Sequence, residues 1–212
     1  MVLTMKNKIA IIANGYVKDK KFHKDLLKDT DIIICADGGA DNAKEIEVTP
    51  DYIIGDLDSV SKSSIEFFKD KSKIVKDNNQ DSTDLEKALS LAETLNPSEL
   101  LITGAIGDRI DHTLANIMCL TKIKSNVKAQ IIDEKNIIEL VESSADLVGD
   151  KNDIVSIVPL TDILTLCYTG LKWNVENLDT NLGWFGISNR LEGKNANISF
   201  SKGKILLIRV RE

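Results

Sequence analysis

Residues 51–60 read DYIIGDLDSV. A short apolar run closes at Gly55, and two carboxylates, Asp56 and Asp58, follow with one residue between them. In an extended chain residues i and i+2 point to the same side. Both carboxylates would then share one small volume, where like charges repel. No lysine or arginine lies inside the stretch to offset them. A strand that runs into an acidic loop is the unit from which the rest of the chain can be read.

That unit recurs on both sides. Apolar strand-like runs are KIAIIA (8–13), DIIICA (31–36), KIV (73–75), ELLITG (99–104) and KAQIID (128–133). Polar segments with helical spacing separate them. STDLEKALSLAETL (82–95) places Leu85, Ala88, Leu89, Ala92 and Leu95 on one face and stops at Asn96-Pro97. DHTLANIMCLTKIK (111–124) gathers Leu114, Ile117, Met118 and Thr121 on one face. Alternating strands and helices predict an α/β domain, a mostly parallel sheet with helices on both sides. From about residue 136 the texture changes to short β-like runs, NIIELV, DIVSIVPL, ILTLCY, NISFS and KILLIRV, separated by turns. The expected organisation is an α/β catalytic domain over 1–133 and an all-β sandwich over 134–212.

Composition narrows the function classes. The 212 residues are 42% hydrophobic and 28% charged, which fits a folded soluble chain. The net charge of −6, with no basic stripe, argues against a nucleic-acid surface. It leaves room for a phosphorylated ligand, because a divalent metal can bridge two anions. Cys35, Cys119 and Cys167 are odd in number, widely spaced and set in apolar runs, which predicts buried free thiols and a reducing cytoplasm. The opening MVLTMKNKIAIIANG holds an apolar run too short for a secretory signal, and no run approaches the ~18 apolar residues of a membrane span.

In an open α/β sheet, ligands bind beyond the C-terminal strand ends. Acidic loops fall there after four consecutive strands: ADGGAD (36–41), GDLDS (55–59), DNNQDSTD (77–84) and GAIGDRIDH (104–112). For Asp56 and Asp58 one reading is ligation of Mg²⁺, a hard cation that takes carboxylate oxygens, and the other is ordinary turn chemistry. Thr83 and Glu86 fit a capping box, and Asp84 suits the first turn of a helix. Capping does not account for Gln80, Asp81 and Asp84 together; free N–H groups at that terminus suit phosphate, with Asp84 near a metal. Arg109 is the first arginine in the chain, and its planar fork suits phosphate. Asp111 fits a helix N-cap equally well, and His112 reads as structural. In GWFGISN (183–189) the plain reading is a core strand and a turn; the other has Ser188 and Asn189 contacting a small heterocycle. Neither G-x-x-x-x-G-K-[ST] nor G-x-G-x-x-G occurs, so ATP would be held differently than in common NTPases.

Taken together, ADGGAD (36–41), PDYIIGDLDS (50–59), NNQDSTDLEKAL (78–89), TGAIGDRIDHTLANI (103–117), TGLKWN (169–174) and GISN (186–189) resemble the thiamine pyrophosphokinase family, in its order and over nearly the whole chain. The resemblance implies an N-terminal α/β domain with a C-terminal β-sandwich that binds thiamine and dimerises. It implies homodimers with sites between subunits, and the reaction ATP + thiamine → AMP + thiamine diphosphate with Mg²⁺. Carried over, Asp56, Asp58 and Asp84 are metal-site carboxylates, and with Arg109 they form the catalytic set. Gln80, Asp81, Thr83, Arg109 and Asp111 are ATP contacts. Asp37, Ser188 and Asn189 lie on the thiamine side. Where many members have Gly-Gly before the arginine, this chain has Gly107-Asp108, a stiffer and more acidic loop. A strand ending in D-x-D also resembles haloacid-dehalogenase-type phosphatases, but there it is usually the first strand; here it is the third.

Overall fold

A computed structural model describes residues 7–211. Residues 1–6 of the opening segment lie outside the described residues. The chain divides into two compact units, one through Glu134 and one from Lys135.

Among the described residues the first unit holds six strands: β1 (Lys8–Ile12), β2 (Ile32–Ala36), β3 (Tyr52–Gly55), β4 (Lys73–Lys76), β5 (Glu99–Thr103) and β6 (Lys128–Ile132). All their pairings are parallel, in the order β6-β5-β1-β2-β3-β4. The central strand β1 reads as unbroken apolar sequence because it is covered on both faces; Ile9, Ala10, Ile11 and Ile12 are fully buried. Successive strands run outward from β1 to β4, and the chain then returns to place β5 on the other side of β1. That reversal between β1 and β5 is a topological switch point, where a crevice opens beyond the strand ends.

Five helices connect these strands: α1 (Lys20–Leu26), α2 (Gly39–Glu45), α3 (Lys62–Phe68), α4 (Asp84–Thr94) and α5 (Ile110–Met118). The apolar face expected on α4 is real: Leu85, Ala88 and Ala92 are buried. The α5 region differs from expectation. Its α-helix ends at Met118, and a 3-10 turn (Cys119–Lys122) carries Cys119 and Leu120 into the core. Within α5 no residue is buried; Ile110, Leu114 and Met118 stand 67%, 58% and 45% exposed. The apolar stripe exists, but its own chain does not cover it.

The second unit is all β among the described residues: β7 (Asn136–Val141), β8 (Ser144–Val148), β9 (Ile154–Pro159), β10 (Ile163–Thr169), β11 (Val175–Thr180), β12 (Gly186–Arg190), β13 (Asn195–Ser199) and β14 (Ile205–Val210). Antiparallel neighbours run β12-β9-β14-β7 in one layer and β11-β10-β13-β8 in the other. Ile157, Ile205 and Leu207 of the first layer and Ile163, Leu166 and Ile198 of the second share one buried cluster. Two antiparallel sheets closed over one apolar core make a sandwich.

The cysteines are free. Burial pushes the Cys35 thiol pKa up, and that of Cys119 to about 11. Cys167 is only half-buried, because on β10 it points away from the face that buries its neighbours Leu166 and Tyr168. No helix among the described residues is long and apolar enough to cross a membrane.

Candidate active site

Asp37 anchors the site. It follows β2 in the left-handed region, φ 42°, and is 1% exposed. Its Oδ2 accepts the Ser59 amide at 3.0 Å, while the buried Oδ1 has no hydrogen-bond partner. Burial pushes its carboxyl pKa up, and the negative charges of Asp84 and Asp56 add to the effect. Gly55 makes this packing possible: a Cβ there would stand 2.7 Å from Cβ of Asp37.

Asp56 and Asp58 follow β3. They are not two residues of an extended chain. Leu57 between them is left-handed, φ 68°, and the Asp58 amide folds back onto Asp56 Oδ1 at 3.3 Å. This tight turn turns both carboxylates toward Asp37. Ligand oxygens of Asp37, Asp56 and Asp58 all lie within 4.8 Å of one another. The Gln80 amide donates to Asp56 Oδ2 at 3.1 Å, and that bond leads in holding the Asp56 pKa low. The Ser59 hydroxyl donates to Asp58 Oδ1 at 2.9 Å.

Asp84 is not one of these three converging carboxylates, though its charge bears on Asp37. The almost fully buried Lys87, one turn along α4, donates to Asp84 Oδ1 at 3.1 Å. Asp84 nevertheless lines the same cleft as Asp37. The capping box at the start of α4 is formed: the Glu86 amide donates to Thr83 Oγ1 at 3.3 Å, and the Thr83 amide to Glu86 Oε2 at 2.7 Å. Thr83 Oγ1 is therefore committed to the helix terminus. Asp81 is exposed on the preceding loop, where its amide donates to Asn79 Oδ1 at 2.9 Å.

Arg109 and Asp111 are joined by two hydrogen bonds, Nε to Oδ1 at 3.1 Å and Nη2 to Oδ2 at 2.6 Å. Asp111 is not the N-cap of α5; Arg109 holds that backbone position, and no side chain caps the helix. His112 is exposed at the cleft. Asn116 donates to the Ala105 carbonyl at 2.8 Å and so holds the loop after β5.

The cleft measures about 530 Å³ and lies at the switch point. Ala13 to Tyr16 wall it after β1, Ala105 and Gly107 to Arg109 after β5, with Asp37, Ser59, Thr83 and Asp84 between. It gathers Asp37, Thr83, Asp84 and Arg109 of the expected set, and Asp37 links it to Asp56 and Asp58.

Ser188 and Asn189 belong to the second unit, on β12. Ser188 is exposed and left-handed, φ 58°, with its amide on Ser156 Oγ at 3.0 Å. Asn189 is 4% exposed and fully engaged inward. Its Oδ1 accepts the amides of Trp173 at 3.1 Å and Arg190 at 2.9 Å, and its Nδ2 donates to the Trp173 carbonyl at 2.8 Å. Asn189 thus holds the turn that presents Trp173, whose ring is 55% exposed beneath Lys172 Nζ at 4.6 Å. Trp184 instead packs against the sandwich core. Sequence reasoning did not single out Lys87 or Ser59. Lys87 stood three residues from Asp84, one helical turn away, which was the signal available for it.

Comparison with known proteins gives the family of the chain. Residues 23–132 match the family described as Thiamin pyrophosphokinase, catalytic domain, and residues 136–205 match Thiamin pyrophosphokinase, vitamin B1 binding domain. The chain is similar to Thiamine pyrophosphokinase of Bacillus subtilis (strain 168), 32% identical over 211 residues, covering 95% of this chain and 97% of that one. Thiamine pyrophosphokinase of Saccharomyces cerevisiae is 26% identical over 273 residues, covering 97% of this chain and 83% of that protein. The crystal structure of the Bacillus subtilis enzyme superposes with a TM-score of 0.86 at 30% identity, covering 97% of this chain and 99% of that one. Two domain matches spanning most of the chain, and a relative aligned almost end to end, establish that the chain belongs to the thiamin pyrophosphokinase family.

Proposed function

We propose that this protein transfers the pyrophosphoryl group of ATP to the hydroxyl of thiamine, giving thiamine diphosphate and AMP, with Mg²⁺ held by Asp37, Asp56 and Asp58. The observation that carries the reading is the convergence of these three carboxylates beside the cleft, with Asp37 Oδ1 buried and unpartnered. A buried carboxylate oxygen without a donor is costly, and hard oxygen donors in this number suit Mg²⁺. When bound, the ion neutralises phosphate charge as the transfer proceeds.

The chain's own groups do the rest by position and charge. Asp84, set by Lys87, adds a carboxylate on the cleft wall. Arg109 is exposed, and its ion pair with Asp111 is held only loosely in water, so its fork can pass from Asp111 to phosphate oxygens. There it offers fixed positive charge to the transition state. Gln80 orients Asp56, and Asp81 and Thr83 border the phosphates at the start of α4. On the thiamine side, Trp173 offers an exposed ring face to the cationic heterocycle, the exposed Ser188 hydroxyl adds a polar contact, and Asn189 sets the geometry.

The uncovered stripe of Ile110, Leu114 and Met118 supports a homodimer in which a second copy buries α5. The free thiols, those of Cys35 and Cys119 buried, fit a cytoplasmic protein. Incubation with ATP, Mg²⁺ and thiamine tests the reaction. Thiamine-dependent release of AMP is expected; release of ADP, or of phosphate without thiamine, would contradict it.

A further inference from the structure

We propose that Glu134, at the end of the first unit, is a positioning residue for this reaction: one of its carboxylate oxygens fixes the loop after β1 as a wall of the cleft. The inference rests on the reaction assigned above.

Glu134 Oε1 accepts three hydrogen bonds, from the Lys18 amide at 2.8 Å, the Asp19 amide at 2.8 Å and the His23 ring Nε2 at 2.9 Å. Partial burial pushes the Glu134 pKa up, but the Asp19 amide, its own amide and His23 outweigh this and hold it at about 2. An ionised carboxylate only accepts, so Nε2 of His23 carries a proton. Nδ1 of the same fully buried ring meets Thr103 Oγ1 at 2.8 Å. Glu134 therefore ties the loop after β1 to the end of β5 through one buried ring.

The two strands thus joined supply the two walls of the switch point. Their loops are already laced near the strands: the Ala13 amide donates to the Thr103 carbonyl at 2.8 Å, Gly15 to Gly104 at 2.6 Å and Tyr16 to Ile106 at 2.7 Å. Gly15 is needed there, since a Cβ would run into the carbonyls of Gly104 and Ile106. Beyond Tyr16 this lacing stops, and the next amides held across the fold are those of Lys18 and Asp19, both on Glu134. Glu134 itself does not line the cleft, whereas Gly15 and Tyr16 do. Its effect on substrate passes through the loop. Small misplacements of binding groups are costly in this kind of transfer, because the chemistry depends on position.

The test combines steady-state kinetics with hydrogen exchange on the full chain. Glu134→Ala is expected to raise KM for ATP about tenfold with kcat changed less than twofold. Glu134→Gln, which keeps an acceptor oxygen, is expected to recover most of that loss. A general structural defect would instead lower the active fraction, and so apparent kcat, at unchanged KM. In the wild type the exposed Lys18 and Asp19 amides should exchange slowly, should be released in Glu134→Ala and should stay protected in Glu134→Gln. Fast exchange at both amides in the wild type overturns the proposal even if Glu134→Ala does not fold, as does an unchanged KM in a folded Glu134→Ala. Wild-type protein that makes no AMP in the presence of thiamine would overturn the reaction itself, while the exchange result would stand on its own.

Discussion

Asp37 and Ser59 join the ends of β2 and β3: the Ser59 amide donates to Asp37 Oδ2 at 3.0 Å, and Oδ1 of the same buried carboxylate has no partner. The raised pKa of Asp37 sets the sign of its effect. Its folded value lies above the unfolded 3.8, so the metal-free fold is favoured at low pH and loses that contribution as pH rises through the folded value. Asp37→Asn should therefore leave Tm without Mg²⁺ equal or higher, while abolishing thiamine-dependent AMP formation. Differential scanning calorimetry and the AMP assay check this; a large fall in Tm would mean Asp37 serves the fold and not the site.

Mg²⁺ should stabilise the wild type. Saturation at 100 times Kd corresponds to about 2.7 kcal/mol, read as a rise in Tm. Asp56→Asn and Asp58→Asn should each shrink that rise and lose activity. Asp84→Asn should keep more of the rise, because Asp84 is engaged by Lys87 rather than by the three converging carboxylates. Equal loss in all three variants would place Asp84 among the ligands.

Arg109→Lys keeps the charge and loses the planar fork. Its kcat is expected to fall by ~10² with little change in Tm, since removing a fixed donor to the developing charge costs that much and the Arg109–Asp111 pair is exposed. A kcat within threefold of wild type would remove Arg109 from the transition state.

Asn189→Ala should raise KM for thiamine and lower stability by about 1 kcal/mol, because it removes the partners of the Trp173 amide and carbonyl at a partly buried position. Trp173→Ala should raise the same KM with a much smaller loss of stability, its ring being exposed. Thiamine titrations and chemical denaturation separate the two.

Leu114→Asp on the uncovered α5 stripe should shift a dimer toward monomer in light scattering, with the monomer still folded. A dimer of undiminished strength would mean that another surface joins the copies.

Much of this was legible along the chain. Short continuous apolar runs marked β1 to β6 and period-3.6 patterning marked α4, because a strand covered on both faces and a helix covered on one each bury their own side chains whatever their neighbours are. Thr83 and Glu86 announced their capping box because both partners lie within one helical turn. The acidic loops were visible because strand ends in an open parallel sheet face one edge. The α5 stripe was also visible, but not that its own chain leaves it bare, since periodicity reports a face and not what covers it.

The sequence by itself determined the two-part architecture, the family and the edge of the sheet where the chemistry gathers, since these follow from local patterning and from short motifs. Only the tertiary structure brought Asp37 within reach of Asp56 and Asp58, turned Asn189 inward beneath Trp173, and set His23 and Glu134 to hold the first loop. The physical reason is distance along the chain. Asp37 lies 22 residues from Ser59, and His23 lies 111 from Glu134. Which oxygen meets which donor there depends on strand order and on left-handed turns at Asp37 and Leu57, and no local pattern encodes either.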